Sequence, residues 1–223
     1  MALKAHRKVQ GLAWGGALLL ATALVSGCSP PQYTYVGDSG NSTYFKVPHY
    51  WGQVSSTDLC QELETYMQTD ACPPYWTIAF EAQHKAAASA FIDFDLNQPF
   101  VYSQVTPYQS TTGTQLTDET LEDVFLPVSQ TARETDATEG FPLTNFKSLL
   151  DTTVSYSGGY HGVREVFDYT EPGGATDTFD EIVLTNGNNS DIYMLLLHCR
   201  ASCYAQDKTT INDVMSSFTV RSN

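Results

Sequence analysis

The sequence predicts an α+β domain built on an antiparallel sheet with helices on its faces. Strand-like segments fill most of the chain after residue 146, and the polar run 186–190 between the last two is typical of a hairpin turn. Residues 192–197 are apolar on both faces, which predicts a central strand covered on both sides. Two segments before residue 130 carry helical periods instead.

The chain opens with the features of an export signal. Three basic residues lie within the first eight positions, and residues 11–25 form an apolar run shorter than the roughly 20 residues of a transmembrane helix. Residues 24–28, Leu-Val-Ser-Gly-Cys, resemble the lipobox of bacterial lipoproteins. That resemblance implies removal of residues 1–27 and a diacylglyceryl group on the Cys28 thiol. We therefore expect a lipid anchor at the extracytoplasmic face of the cell membrane.

Composition divides the rest of the chain into a linker and one domain. Residues 29–43 are rich in Pro, Gly, Ser, Asn and Thr and show no hydrophobic period, which predicts a flexible tether. We assign residues 28–43 to the lipidated tether and residues 44–223 to a globular domain. The 196 residues from Cys28 onward have the size of one domain.

The first part of this domain combines strands with a helix. Residues 44–48 predict a short strand stopped by proline, and residues 76–81 alternate apolar and polar side chains. Residues 56–58 offer an N-cap, and the helix is expected to end before Ala71. The apolar residues that follow the cap recur at the spacing of one helical face: Leu59, Leu63, Tyr66 and Met67.

The middle of the chain is less regular. Residues 86–94 fit either a helix or a strand, and residues 99–108 predict a strand. Residues 117–119 form a second capping signal, with acids in the first turn. Pro127 is expected to kink or end the helix that follows. That helix is indicated by Leu121, Val124, Phe125 and Val128.

The C-terminal part is mostly strand. Residues 209–215 predict a last short helix, and residues 217–220 a terminal strand. The predicted strands before them are residues 146–156, 160–169, 179–185 and 192–199.

The charge is strongly negative. Removal of residues 1–27, which carry three basic and no acidic residues, takes the formal net charge from −14 to −17. Nucleic acid and the phosphate face of a membrane would be repelled, so we expect no nucleic-acid partner. Acidity of this kind serves solubility, or alternatively recognises a basic partner.

Four cysteines remain beside Cys28, and disulfides are the default in an exported chain. Four cysteines allow three pairings, of which the short separations favour Cys60–Cys72 and Cys199–Cys203. The second pair requires a tight turn, because an extended strand holds such residues about 13 Å apart. Zinc is the competing interpretation, but neither spacing is usual for its ligands.

Few residues suggest chemistry. Residues 37–40, Gly-Asp-Ser-Gly, look like a protease nucleophile segment but fall in the predicted tether, where no rigid site could form. His161 shares a predicted strand face with Glu165, while Asp168 lies on the other face, so this strand assembles no triad. Asp93 and Asp95 would share a strand face about 7 Å apart, a separation that suits a carboxylate pair.

Aromatic residues are frequent: thirteen Tyr, eleven Phe and three Trp. Rings in loops and at strand ends often line carbohydrate or peptide surfaces. Among them we choose Tyr50 and Trp51 as a candidate binding patch. The others in such positions are Tyr33, Tyr35, Tyr75, Trp76, Tyr102 and Tyr108.

Motifs at both ends of the domain carry a family resemblance. Residues 159–162, Gly-Tyr-His-Gly, open a strand, a hairpin and an aliphatic strand follow, and residues 211–218 close the domain. Residues 44–51, Tyr-Phe-Lys-Val-Pro-His-Tyr-Trp, are similar to an opening of the form strand, Pro, x, Trp. Together these resemble the PsbP-like family, including actinobacterial lipoproteins of the LpqN type. The resemblance implies an antiparallel sheet flanked by helices, and members that mostly act as accessory or binding proteins without chemistry.

We therefore expect a non-catalytic binding or accessory protein of the cell envelope. It would contact the membrane through its lipid and bind an envelope protein, a glycolipid or a wall component, without a cofactor or a metal. The alternative is an envelope hydrolase that uses acidic residues such as Asp93 and Asp95. A convergent pocket with a perturbed carboxylate would favour the hydrolase, and a smooth surface the binding module.

Overall fold

A seven-stranded antiparallel sheet forms the centre of the fold. The computed structural model describes residues 31–40, 42–67, 72, 75–93, 96–109 and 116–221. The strands are β1 (Tyr33–Asp38), β2 (Thr43–Pro48), β3 (Gly52–Gln53), β4 (Trp76–Glu81), β5 (Phe100–Pro107), β6 (Thr144–Ser155), β7 (His161–Thr170), β8 (Thr176–Thr185), β9 (Asp191–Arg200) and β10 (Thr219–Val220). The large sheet has the order β3-β4-β5-β9-β8-β7-β6, and a small sheet has the order β1-β2-β10. Neighbouring strands pair antiparallel, which confirms the predicted fold class.

Helices cover both faces of the large sheet. They are α1 (Ser56–Met67), a 3₁₀ helix (Ala88–Phe91), α2 (Asp118–Glu122), α3 (Gln130–Glu139) and α4 (Ala201–Met215). Helix α2 contacts β7 and β8, whereas α4 contacts β8, β9 and β2. Tyr204 of α4 bonds Asp180 of β8, whereas Glu122 of α2 lies within 4.8 Å of Glu165, which is directly opposite the next residue of β8, Glu181. Successive residues of a strand point to opposite faces, so α2 and α4 lie on opposite faces of the sheet. We call these the α2 face and the α4 face.

Strand β9 is the central strand that its composition predicts. It lies between β5 and β8, and Leu195, Leu196 and Leu197 are fully buried. The predicted hairpin is also confirmed, since β8 and β9 pair from Asp177–Arg200 to Thr185–Ile192 around the turn at residues 186–190. Both faces of this strand are covered, so apolar side chains on both faces are favourable.

The predicted tether is wrong over residues 33–38, which form β1 and pair with β2 from Tyr33–Pro48 to Asp38–Thr43. The run Tyr-Thr-Tyr-Val has high strand propensity, and it outweighs the turn-forming residues on either side. The segment Gly-Asp-Ser-Gly covers the end of β1 and the start of the β1–β2 turn. There the Asp38 carboxylate accepts a 2.7 Å hydrogen bond from the Gly40 N–H, as Asp commonly does in turns.

The last helix begins eight residues earlier than predicted. Helix α4 starts at Ala201, immediately after β9, and its first turn buries Cys203 and Tyr204 against the sheet, as its later turns bury Ile211, Val214 and Met215. The chain therefore turns directly after Arg200. The structure joins Cys199 to Cys203 with Cα atoms 6.0 Å apart, and Cys60 to Cys72 with Cα atoms 5.3 Å apart.

The predicted helix after Thr117 is real but short. Thr117 caps α2 by accepting a hydrogen bond from the Thr120 N–H at 3.2 Å, and the helix ends at Glu122. Asp123 then accepts bonds from the Val128 and Ser129 N–H groups, both at 2.8 Å, so local hydrogen bonding replaces a further helical turn. Helix α3, which has no helical apolar period in the sequence, follows with Ser129 as its N-cap.

In the part of the chain that the structure describes, no helix has both the length and the apolar character needed to cross a membrane. Residues 1–30, which include the predicted signal peptide and Cys28, lie outside the described residues.

Candidate functional site

An aromatic pocket of about 370 Å³ lies at one end of the large sheet. This volume falls within the range of small-molecule sites, about 300–1,000 Å³. The pocket is formed by α3, the loop after it, the start of β6 and the end of β7. Its lining residues are Arg133, Ala137, Phe141, Leu143, Thr144, Asn145, Phe146 and Tyr169. We call it the aromatic pocket.

Its three rings are held by their neighbours. Phe146 packs on Tyr169 with centroids 5.3 Å apart, and Phe141 meets Tyr169 edge-on at 5.9 Å. The Tyr169 hydroxyl donates to the Pro127 carbonyl, and burial raises its pKa to about 12, so the ring stays neutral. Pairs of this geometry add about 0.5–1.5 kcal/mol beyond their buried area. The pocket wall is therefore pre-organised.

Arg133 supplies the charge of the aromatic pocket. Its guanidinium carbon lies 4.2 Å from the centroid of the Phe146 ring, and its Nε donates to the Val128 carbonyl at 3.0 Å. A guanidinium carries five N–H donors, so this arrangement leaves donors for a ligand. The pocket thus combines apolar ring faces with a fixed cation.

The sequence-predicted patch does not form. Trp51 is 4% exposed and belongs to the core, and its Nε1 has no hydrogen-bond partner among the described residues. Tyr50 is exposed, but it has no exposed tryptophan beside it to make a patch. Trp51 follows a predicted strand end, but the turn at residues 49–51 directs its ring into the core.

The sequence does not predict the aromatic pocket, because residues 129–145 carry no regular hydrophobic pattern. The signals that could have indicated α3 are Ser129, its N-cap, and Gly140, which ends it.

A row of acidic residues crosses three strands on the α2 face. Asp151 of β6 lies directly opposite Glu165 of β7, which lies directly opposite Glu181 of β8. Glu122 of α2 approaches the same place, and carboxylate oxygens of Glu122, Asp151 and Glu165 all lie within 4.8 Å of one another. Like charges directly opposite in a sheet are destabilising, so this row requires a compensating feature.

Burial and mutual repulsion perturb these carboxyl groups. Burial, followed by the charges of Glu122, Asp151 and Asp123, raises the pKa of Glu165 to about 8. Burial and the same neighbourhood raise the pKa of Glu181 well above its usual value, and the pKa of Glu122 is also raised. Burial and nearby like charges therefore make the ionised form of both buried carboxyl groups unfavourable.

The prediction that Asp93 and Asp95 form a carboxylate pair on one face of a strand is wrong. Asp93 follows the 3₁₀ helix and is not on a strand, and Asp95 lies outside the described residues. The segment turns because Ala90 and Phe91 are buried, with the Phe91 ring 4.8 Å from that of Tyr102. Residues at positions i and i+2 share a face only in an extended strand.

The strand that carries His161 behaves as its alternation predicts. The register of β7 and β8 is unbroken from His161 to Thr170, which puts His161 and Glu165 on the face opposite Asp168. His161 is exposed and contacts the Gly159 carbonyl at 3.2 Å, while Asp168 accepts a 2.7 Å bond from Thr178. The three do not assemble a triad.

Comparison with known proteins gives a structural likeness only. No protein-family model matches the chain, and no curated protein matches it at a significant level. The solution structure of cyanobacterial PsbP (CyanoP) from Synechocystis is similar, with 15% identity over 87% of this chain and 96% of that chain and a TM-score of 0.48. LpqN of Mycobacterium tuberculosis, involved in cell envelope biogenesis, shows 15% identity over 86% and 91%, with a TM-score of 0.48.

The Ran-binding protein Mog1p of Saccharomyces cerevisiae is similar at 11% identity, over 84% of this chain and 95% of that chain, with a TM-score of 0.46. The structural neighbours thus include the PsbP and LpqN proteins that the sequence motifs resemble.

Proposed function

We propose that the chain is a lipid-anchored, extracytoplasmic binding or accessory protein of the cell envelope, and that it binds its partner through the aromatic pocket. The observation that carries this proposal is the aromatic pocket itself, which is lined by Phe141, Phe146 and Tyr169 together with one arginine that lies over the Phe146 ring. Binding sites are mostly apolar and contain a few placed polar groups. This pocket has that composition.

The chemistry of the aromatic pocket selects its ligand. A group that fits must offer an apolar face to the rings and hydrogen-bond acceptors to Arg133. Sugar rings of a glycolipid or a wall polymer meet both requirements, because their C–H faces are apolar and their edges carry oxygens. We therefore favour a glycolipid or wall partner.

Phe146→Ala should reduce recovery of the partner at least tenfold, because removal of a central interface ring costs about 2 kcal/mol or more, and 1.4 kcal/mol is tenfold. The measurement is co-purification from membranes with the lipid left in place, quantified for glycolipid and wall material. Tyr50→Ala is the matched control, since it removes an exposed ring outside the pocket. Equal recovery with Phe146→Ala and the wild type, or a loss with Tyr50→Ala alone, would contradict the proposal.

Cys28→Ala should abolish incorporation of a fatty-acid probe, because the thiol is the proposed acylation site. The variant should appear as unprocessed precursor or as soluble protein in metabolic labelling. Strand β1 begins five residues after Cys28, and five residues span at most about 18 Å, so an anchored domain would lie close to the membrane surface. Equal labelling of the variant and the wild type would exclude the lipoprotein assignment.

The hydrolase alternative has one observation in its favour, the perturbed carboxyl group of Glu165. Only 3% of Glu165 is exposed, however, so a substrate cannot reach its carboxylate in this arrangement. General acid catalysis requires the group within hydrogen-bond reach of the reacting atoms. Glu165 therefore fits a different role.

A further inference from the structure

The acidic row on the α2 face brings oxygen ligands together from three separate elements. Glu122 comes from α2, Asp151 from β6 and Glu165 from β7, and one carboxylate oxygen of each lies within 4.8 Å of the others. Oxygen ligands on opposite sides of a Ca²⁺ ion are about 4.6–5.2 Å apart, twice the usual Ca–O distance. The three oxygens can therefore contact one such ion with the backbone as it stands.

Hydrogen bonding does not account for the buried part of this row. Glu165 is 3% exposed, and its Oε2 has no hydrogen-bond partner among the described residues. Glu181 lies directly opposite and is fully buried. Neither of its carboxyl oxygens has a hydrogen-bond partner among the described residues. An unpaired buried carboxylate is costly, so a counter-charge at this place would be strongly favoured.

Asp123 shows the contrast within the same region. Its Oδ1 accepts from the Val128 and Ser129 N–H groups, and its Oδ2 accepts from the Ser129 hydroxyl at 2.6 Å. Asp123 is thus a satisfied structural carboxylate, whereas Glu165 presents an unsatisfied oxygen. The hydrogen bonds of Asp123 are fully explained by its role in the local turn, whereas the unpaired oxygen of Glu165 is available to a ligand.

We propose that Glu122, Asp151 and Glu165 bind a Ca²⁺ ion, with Glu181 adding negative charge beneath it. Calcium prefers carboxylate oxygens at about 2.3–2.6 Å and tolerates irregular geometry, whereas Mg²⁺ demands a near-ideal octahedron at about 2.0–2.1 Å. The ion would link α2 to β6 and β7. Since Asp151 is exposed, the ion can enter from solvent.

The full chain, extracted in detergent and freed of divalent cations with EGTA, should bind CaCl₂ at one saturable site in isothermal titration calorimetry. The dissociation constant should lie at about 10⁻⁴–10⁻³ M, the range of extracellular calcium modules. The melting temperature should rise with added CaCl₂, since a ligand that binds only the folded state stabilises it. Matched additions of NaCl should not reproduce the rise.

Glu165→Gln and Asp151→Asn should each weaken calcium binding at least tenfold, and Glu139→Gln, which removes an exposed carboxylate from α3, should leave it unchanged. Asp151 is exposed, so its variant keeps the test valid if Glu165→Gln fails to fold. Absence of saturable binding by the wild type, wild-type affinity in either site variant, or equally tight binding of Mg²⁺ would each overturn the proposal.

Discussion

Arg164→Met should lower the free energy of unfolding by about 3–5 kcal/mol, the usual cost of removing one partner from a buried ion pair. Asp180 is fully buried on the α4 face, and Arg164 reaches it with two hydrogen bonds, Nε at 3.1 Å and Nη2 at 2.9 Å. The Tyr204 hydroxyl donates a third bond at 2.8 Å. Among the described residues, the variant leaves the carboxylate only the Tyr204 hydroxyl as a hydrogen-bond partner.

The pKa of Arg164 agrees with this arrangement. Burial by itself would lower the pKa of Arg164, but the hydrogen bond and the charge of Asp180 outweigh it and raise the pKa above its ordinary value. The arginine therefore keeps its charge in the folded state. The Asp180 carboxylate without its arginine would keep the desolvation cost and lose the main compensating interaction.

Chemical denaturation of the full chain with its disulfides intact measures the change. Lys208→Met is the matched control, because Lys208 is an exposed cation on α4 that lines the same groove as Arg164. Addition of Asp180→Asn to Arg164→Met should recover part of the loss by removing the unpaired charge. A cost for Arg164→Met no larger than that for Lys208→Met would contradict the assignment of a buried pair.

The strands could be predicted from the sequence because each carries its own signal. Alternation or continuous apolar character marks β4, β5, β7, β8 and β9, and burial against both faces reinforces that local preference. Strand β1 could not be predicted in this way. Its short run of strand-forming residues lies between turn-forming residues that are typical of a linker, and only the pairing with β2 shows that the run is a strand.

The acidic row illustrates what a single sequence leaves open. Alternation places Glu165 on a definite face of β7, but only the register of β6 and β8 puts Asp151 and Glu181 opposite it. Register shifts occur in the β6–β7 pairing before Asp151, and a shift of one residue would move Asp151 to the other face. Pairing between distant segments therefore creates the row, and local patterns do not reveal it.

The aromatic pocket has the same origin. Phe141, Phe146 and Tyr169 come from a loop and from two strand ends, and they meet only after α3 folds back against β6 and β7. The acidic and polar composition of α3 gives it no apolar face, since none of its residues is buried, so its period could not predict it. Its cap and its terminal glycine were the available signals.

Gly162→Ala should be strongly destabilising, by about 3 kcal/mol, because the new methyl group would meet backbone and not a side chain. A Cβ at this position would lie 2.0 Å from the Val183 carbonyl oxygen and 2.9 Å from the Leu184 Cα. Both atoms belong to β8, which pairs with β7 through Gly162–Leu184, so relief requires the two strands to separate. Overpacking of a well-packed site costs about 1–3 kcal/mol, and a clash with fixed backbone belongs at the upper end.

Gly162, the second glycine of the Gly-Tyr-His-Gly segment, thus permits the close approach of β7 and β8 beside the buried Tyr160. Gly173→Ala is the matched control, because a Cβ there meets nothing within 4 Å. Denaturant midpoints of the two variants decide the matter, and hydrogen exchange should show faster opening of β7 and β8 in Gly162→Ala alone. Equal midpoints for both variants would mean that the sheet relaxes at Gly162 without cost and that the glycine is not required for strand packing.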